Sequence, residues 1–280
     1  MLRAGRFALA LDRPLIMGVV NITPDSFSDG GRFCNPSEAI AGAQRLIEEG
    51  ADILDIGGES SRPGAGAVGA AEELRRILPV ITALRDATVP ISVDTAKPEV
   101  MRAALDAGAA MVNDIEALQA PGALEAVAAS DAGVCLMHMQ GRPRTMQQAP
   151  QYDDVVAEVA AFLRGCADAA MAAGIARERI VIDPGFGFGK SVEHNLELLR
   201  HLRRFTEGGF PVLAGLSRKS TLGAITGRPV EQRLHASVAA ALLAVERGAA
   251  IVRVHDVAAT RDALAVWTAL RGGNAVSSVA

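Results

Sequence analysis

Arg179-Ile-Val-Ile-Asp-Pro-Gly-Phe-Gly-Phe-Gly-Lys190 is the passage from which the architecture can be read. Ile180, Val181 and Ile182 are three β-branched residues in a row, the pattern of a short strand buried on both faces. The strand stops at Asp183, because Pro184 cannot donate to a ladder and Gly185, Gly187 and Gly189 cannot hold one. An acid therefore stands at a strand's C-terminal end, where an isolated Asp-Pro-Gly would serve equally well as a turn cap. Two nucleotide-binding patterns fail on the letters. GxxxxGK[ST] needs a glycine where Pro184 stands, and GxGxxG fails because Gly189 follows Gly187 too soon.

Outward from that passage the same arrangement recurs. Eight apolar runs, at 15–20, 52–56, 90–93, 111–112, 133–137, 179–182, 211–214 and 250–254, alternate with helical patterns. Asn35-Pro36-Ser37-Glu38 supplies a cap, a first-turn proline and a glutamate at the third helical position, after which Ile40, Ala43 and Ile47 share a face. Leu234, Val238, Ala241, Leu242 and Val245 follow helical spacing, and Gly248 ends that helix. Gly50-Ala51, Gly108-Ala109 and Gly248-Ala249 return the chain to the sheet by one repeated phrase. Eight such units with near-continuous apolar strands predict an α/β fold, a (β/α)₈ TIM barrel. The other candidate, a doubly wound open sheet, usually carries a glycine fingerprint at its first turn, where this chain has Asn21-Ile22-Thr23-Pro24-Asp25.

Bulk properties fit one domain of this kind. A chain of 280 residues, half of them hydrophobic, is long enough for an α/β barrel with a large core. Residues 15–272 are expected to form it, after an extension at 1–14 with a short ribbon over 6–11 and before a tail at 273–280. The net charge of −4 argues against a nucleic-acid or anionic-membrane partner, and 4 % aromatic content against stacking platforms for single strands. No run approaches the roughly 18 apolar residues of a membrane span, and the first 13 residues do not read as a signal peptide. Cys34, Cys135 and Cys166 are odd in number and far apart, which excludes a disulfide framework and points to a reducing cytoplasm.

In a barrel the C-terminal strand ends meet at one face. Read in order they are Asn21, the loop after Ile56, Asp94, Asn113, Met137-His138, Asp183, Gly215 through Lys219, and Arg253 with His255. Any one of these could be a turn or cap residue. Jointly, three Asx side chains at the centre and three cations at one side are hard to read as caps. Asp94, Asn113 and Asp183 suit a flat heterocycle rich in N–H donors, because carboxylates would repel a phosphate. Lys219, Arg253 and His255 have the opposite character, and helical spacing behind Ser217-Arg218-Lys219-Ser220 adds backbone N–H groups to an anion site. The expected ligand has a hydrogen-bonding ring and an anionic tail. The long loops at 22–35 and 57–69 read as lids, carrying Asp25, Asp29 and Arg32 in the first and Glu59 and Arg62 in the second.

Met17-Gly-Val-Val-Asn-Ile-Thr-Pro-Asp-Ser-Phe-Ser-Asp-Gly-Gly31, Gly57-Gly-Glu-Ser-Ser-Arg-Pro-Gly64, Ser92-Val-Asp-Thr95, Val112-Asn-Asp-Ile115, Met137-His138, Asp183 to Lys190, Gly215-Leu-Ser-Arg-Lys-Ser220 and Arg253-Val-His255 together resemble dihydropteroate synthase. The resemblance runs from residue 15 to about residue 271. It implies a (β/α)₈ transferase that condenses 6-hydroxymethyl-7,8-dihydropterin pyrophosphate with p-aminobenzoate, giving 7,8-dihydropteroate and pyrophosphate for folate synthesis. By matching positions, Asp94, Asn113 and Asp183 would hold the pterin with Lys219 beside them, and Ile115, Met137, Phe188 and Gly215 would line the pocket. Asn21 would help bind Mg²⁺ and the pyrophosphate, which Arg253 and His255 would clamp. Ser61 and Arg62 belong to the second loop, and Ser217 lies where the family places the p-aminobenzoate carboxylate. Lys219, Arg253, His255 and Asp94 would carry the catalysis. The resemblance also implies a homodimer in the cytoplasm.

The family's second loop usually reads Ser-Thr-Arg-Pro-Gly, and here Ser61 takes the threonine position, keeping the hydroxyl and losing a methyl. Two alternatives stand beside the synthase: a pterin-binding paralogue without synthase activity, and a barrel that presents methyltetrahydrofolate to a corrinoid protein. The latter would share the fold and the Asx residues but need neither Ser-Arg-Lys nor the Arg-Pro-Gly loop.

Overall fold

A computed structural model describes residues 1–23, 35–60, 66–142 and 145–271. Ser61, Arg62, Asp25, Asp29, Arg32, Cys34 and the tail at 273–280 lie outside the described residues.

The chain opens with an antiparallel ribbon of β1 (Leu2–Ala4) and β2 (Phe7–Leu9). The barrel follows as β3 (Leu15–Asn21), α1 (Pro36–Glu48), β4 (Ile53–Gly57), α2 (Ala70–Leu84), β5 (Ile91–Asp94), α3 (Pro98–Ala107), β6 (Met111–Asp114), α4 (Ala123–Ala128), β7 (Gly133–Met137) and α5 (Val155–Ala172). It continues through β8 (Ile180–Asp183), α6 (Val192–Arg200), α7 (Arg203–Thr206), β9 (Leu213–Ala214), α8 (Ser220–Thr226), α9 (Leu234–Glu246), β10 (Ile251–Val254) and α10 (Val257–Leu270). Strands β3 to β10 form one parallel sheet in the order β8-β7-β6-β5-β4-β3-β10-β9. Its two ends meet where Ile182 pairs with Val212, with Ile182 N–H donating to the Pro211 carbonyl at 3.0 Å. The barrel predicted from the alternation of runs is the barrel observed.

Strand alternation produces two cores. Leu54, Ile56, Val93, Val112, Leu136, Ile182 and Val252 face outward and pack with the helices. Leu15, Met17, Ile53, Met111, Cys135, Val181, Leu213 and Ile251 form a second, interior cluster that also includes Leu2 and Ala4 of the ribbon, both 0 % exposed. The ribbon therefore seals the N-terminal end of the barrel. It begins earlier than the 6–11 segment expected, which contains its second strand, because burial of Leu2 and Ala4 inside that end selects the pairing of Leu2 with Leu9.

Local chemistry explains the returns to the sheet. Gly50, Gly108 and Gly248 adopt φ of +97°, +117° and +100°, the left-handed conformation that ends a helix and that other residues resist. Helix α1 begins as its letters imply: the Asn35 side chain accepts from Ser37 N–H at 3.0 Å, and Pro36 opens the first turn. Polar strand-end residues are thereby delivered to one rim.

Candidate active site

At that rim the structure brings the predicted residues together around two adjoining cavities. The smaller, about 60 Å³, is lined by Asp94, Asn113, Ile115, Met137, Asp183, Phe188, Gly215, Ser217, Lys219, Arg253 and His255. The larger, about 430 Å³, shares Asp94, Phe188, Ser217, Lys219, Arg253 and His255 with it and extends past Asn21, Thr23, Ser60, Arg218 and Arg233. An Asx-lined pocket thus adjoins a cation-lined one.

The acids of the small cavity are buried. Asp183 is 5 % exposed, and its Oδ1 accepts from Gly185 N–H at 2.8 Å. Burial raises its pKa, opposed by that backbone donor and by the Lys219 ammonium. Burial pushes Asp94 up to about 7, against the pull of Arg253 and with the added repulsion of Asp55. Asn113 donates from Nδ2 to Oδ2 of Asp55 at 3.0 Å.

Lys219 reaches back over the loop after β8. Its Nζ donates to the Phe186 carbonyl and stands 4.2 Å from the centre of the Phe188 ring. Burial lowers its pKa to about 8, with Asp183 opposing. Arg218 between Ser217 and Lys219 holds a left-handed φ of +58°, secured by its N–H to Ser237 Oγ at 2.9 Å and its guanidinium to Asp256 at 2.5 and 3.1 Å. That kink sets Ser217 and Lys219 on both cavities, while Arg218, tied to Asp256, lines the larger one. Ser217 Oγ lies 2.9 Å from His255 Nδ1, so the two are held as a pair.

Arg253 does not stand on a separate cationic border, as the letters suggested. Its Nε donates to Oδ2 of Asp55 at 2.6 Å and its Nη2 to Oδ2 of Asp94 at 2.7 Å, which places the guanidinium among the acids. The reason is depth: Arg253 lies within β10, one inward position before His255, level with the carboxylates rather than above them. Those carboxylates raise its pKa despite burial. Glu59 is likewise engaged rather than poised to close over the face, ion-paired to Lys97 and accepting from Val68 N–H at 3.0 Å.

Two residues escaped the reading of strand ends. Asp55 sits inside β4 at 0 % exposure, and its signal was an acid in the apolar run Ile53-Leu54-Asp55-Ile56. Lys190 closes the opening passage and is 2 % exposed. It donates to the carbonyls of Gly185 and Phe188 at 3.0 and 2.9 Å and meets Nδ1 of His138 at 3.0 Å. Burial lowers Lys190 to about 7 and His138 to about 3, the Lys190 charge assisting in the latter. The loop carrying Phe186 and Phe188 is thus clasped by Lys190 from inside and by Lys219 from the cavity.

Among the described residues no group of three or more His, Cys, Asp or Glu could cage a metal ion. A divalent ion held by one protein amide and by phosphate oxygens needs no such cage, and Asn21 at the edge of the larger cavity fits that role.

Comparison with known proteins agrees with the geometry. Residues 17–255 match the model of the pterin binding enzyme family. The chain is 54 % identical over 275 residues to a dihydropteroate synthase of Neisseria meningitidis, covering 96 % of each. Among solved structures it is similar to Xanthomonas albilineans dihydropteroate synthase with 4-aminobenzoic acid, at 60 % identity and TM-score 0.89, covering 94 % of this chain and 95 % of that one. The same enzyme in complex with 7,8-dihydropteroate matches at 58 % identity and TM-score 0.86, with the same coverage.

Proposed function

The chain belongs to the pterin-binding enzyme family, and from that premise we propose how its residues join p-aminobenzoate to 6-hydroxymethyl-7,8-dihydropterin pyrophosphate, forming 7,8-dihydropteroate and releasing pyrophosphate. One observation carries the assignment of roles: the Asx-lined and cation-lined cavities adjoin and share Asp94, Phe188, Ser217, Lys219, Arg253 and His255. A single small molecule with a heteroaromatic head and an anionic tail can span them.

Asp183, Asn113 and Asp94 receive the N–H edge of the pterin, with Ile115, Met137, Phe188 and Gly215 around the ring and Lys219 beside it. Arg253 and His255 hold the diphosphate. The bond from the methylene carbon to the diphosphate oxygen breaks first or nearly so, because the electron-rich ring spreads the positive charge left on that carbon. Buried carboxylates favour that charge while the cations stabilise the leaving anion, which is electrostatic stabilisation of the transition state. The aromatic amine then forms the C–N bond and loses a proton to solvent, so no strong base is required. Ser217, held by His255, receives the p-aminobenzoate carboxylate, with Ser61 and Arg62 of the second loop contributing to substrate binding. Asn21 would hold Mg²⁺ beside the diphosphate, where the ion would supply further charge neutralisation on the leaving group.

The protein works as a homodimer in the cytoplasm. Exposed Leu243 on α9 and Val266 and Leu270 on α10 support self-association, and the free thiols Cys135 and Cys166 support a reducing compartment. No described helix is long and apolar enough to cross a membrane.

The test is an assay with purified protein, the pterin pyrophosphate, p-aminobenzoate and Mg²⁺. Pyrophosphate release that depends on p-aminobenzoate is expected. Tight pterin binding without release would instead identify a non-catalytic paralogue.

A further inference from the structure

Asp55 is the one acid of this cluster that lines neither cavity. It points into the barrel between Ile53 and Gly57, and a carboxylate buried there is tolerated only when paired. Its Oδ2 takes both available partners, Arg253 Nε at 2.6 Å and Asn113 Nδ2 at 3.0 Å. Its Oδ1 is buried without a hydrogen-bond partner among the described residues, as is Oγ of Ser92, the residue opposite it in β5. All of the pairing therefore converges on one oxygen, and both donors belong to residues that line the substrate cavity.

Arg253 uses its two ends differently. Nη2 is bonded to Asp94, a group the pterin must also reach, whereas Nε is bonded to Asp55, which a ligand in either cavity does not touch. We propose that Asp55 is a positioning residue for the transfer reaction: a fixed pivot that retains Arg253 through Nε while its Nη end exchanges Asp94 for the substrate's diphosphate. The same oxygen sets the Asn113 amide. A carboxylate only accepts, so Nδ2 is turned to Asp55 and the amide oxygen is left for the pterin. Without the charge of Asp55, Arg253 has Asp94 as its remaining carboxylate partner and competes with the pterin for it.

This inference rests on the proposed function, and a double-mutant cycle separates the two. Asp55→Asn is expected to lower kcat/KM for the pterin pyrophosphate at least tenfold while the KM for p-aminobenzoate stays within twofold of wild type. In an Arg253→Met background the same substitution is expected to change kcat/KM less than twofold, because Arg253 is absent and the substituted amide keeps an oxygen that accepts from Asn113 Nδ2. A purely structural role would reduce both backgrounds alike. An Asp55→Asn enzyme within twofold of wild type, or equal losses in both backgrounds, overturns the pivot. Should Asp55→Asn fail to fold, Asp55→Ser takes its place in the cycle, and Arg253→Gln, which likewise removes the charge, replaces Arg253→Met on the same ground. Wild-type protein that releases no pyrophosphate with p-aminobenzoate would overturn the functional reading instead.

Discussion

Nη2 of Arg253 lies 2.7 Å from Oδ2 of Asp94, and the same guanidinium is anchored by Nε to Asp55. Arg253 is therefore a structural counterion as well as the residue proposed to hold the diphosphate. Arg253→Ala leaves the Asp55 carboxylate, 0 % exposed, with the Asn113 amide as its one hydrogen-bond partner among the described residues. Removing one member of a buried pair costs about 3–5 kcal/mol. A loss of that order in urea unfolding is expected together with lost turnover, and adding Asp55→Asn should recover part of the stability without the activity. Unchanged turnover in Arg253→Ala would remove the residue from catalysis.

Asp183→Asn tests the ring-binding assignment. The amide oxygen can still accept from Gly185 N–H, so the loop keeps its shape, but the charge facing the small cavity is lost. A charged hydrogen bond is worth roughly 1.5–3 kcal/mol, so pterin affinity by calorimetric titration should fall about tenfold to a hundredfold. Retained affinity would contradict the role given to Asp183.

Lys190 should matter for stability before it matters for chemistry. Lys190→Met removes a donor from the Gly185 carbonyl, which keeps the Phe188 N–H, and from the Phe188 carbonyl and His138 Nδ1, and each buried group left unpaired costs about 1–3 kcal/mol. A loss of about 3 kcal/mol or more is expected in denaturant titration. A variant as stable as wild type would show that these bonds contribute nothing.

His138 makes the fold acid-sensitive. Its folded pKa is lowered to about 3 by burial and by Lys190, so the neutral ring favours folding above the ordinary value of 6.5. That contribution is lost as pH falls from about 6.5 through about 3, at up to about 1.4 kcal/mol per pH unit. His138→Asn, whose amide oxygen can replace Nδ1 as acceptor, should unfold with a shallower dependence over this range. Identical slopes for the two proteins would exclude His138 as the sensor.

Gly185→Ala should be far worse than Gly174→Ala, although both glycines have positive φ, +71° and +95°. The backbone conformation alone costs roughly 1–2 kcal/mol at each. At Gly174 a Cβ meets nothing within 4 Å, whereas at Gly185 it overlaps the His138 carbonyl oxygen, and backbone cannot yield as a side chain can. Comparable melting temperatures for the two variants would refute this.

Much of the site was legible because a parallel barrel turns sequence position into spatial position. Any polar residue that ends an apolar run is carried to one rim, which is why Asp94, Asn113, Asp183, Lys219 and His255 could be grouped before any coordinates. Asp55 and Lys190 were not legible by that rule. Asp55 lies one inward step below a strand end and Lys190 lies beyond one, and each finds partners from strands remote in sequence. The ribbon starts earlier than expected for a related reason, since its bounds follow from the barrel end it fills.

The letters alone establish the alternation of runs and helices, the caps and left-handed glycines that turn the chain back, and the chemical character of the rim. Those are local properties, set by period, by backbone sterics and by side-chain type. Depth and pairing are not local. That Arg253 sits among carboxylates rather than beside them, and that one oxygen of Asp55 holds both Arg253 and Asn113, depends on how far each strand is staggered against its neighbours. Stagger is fixed by closure of the whole barrel, which no single segment encodes.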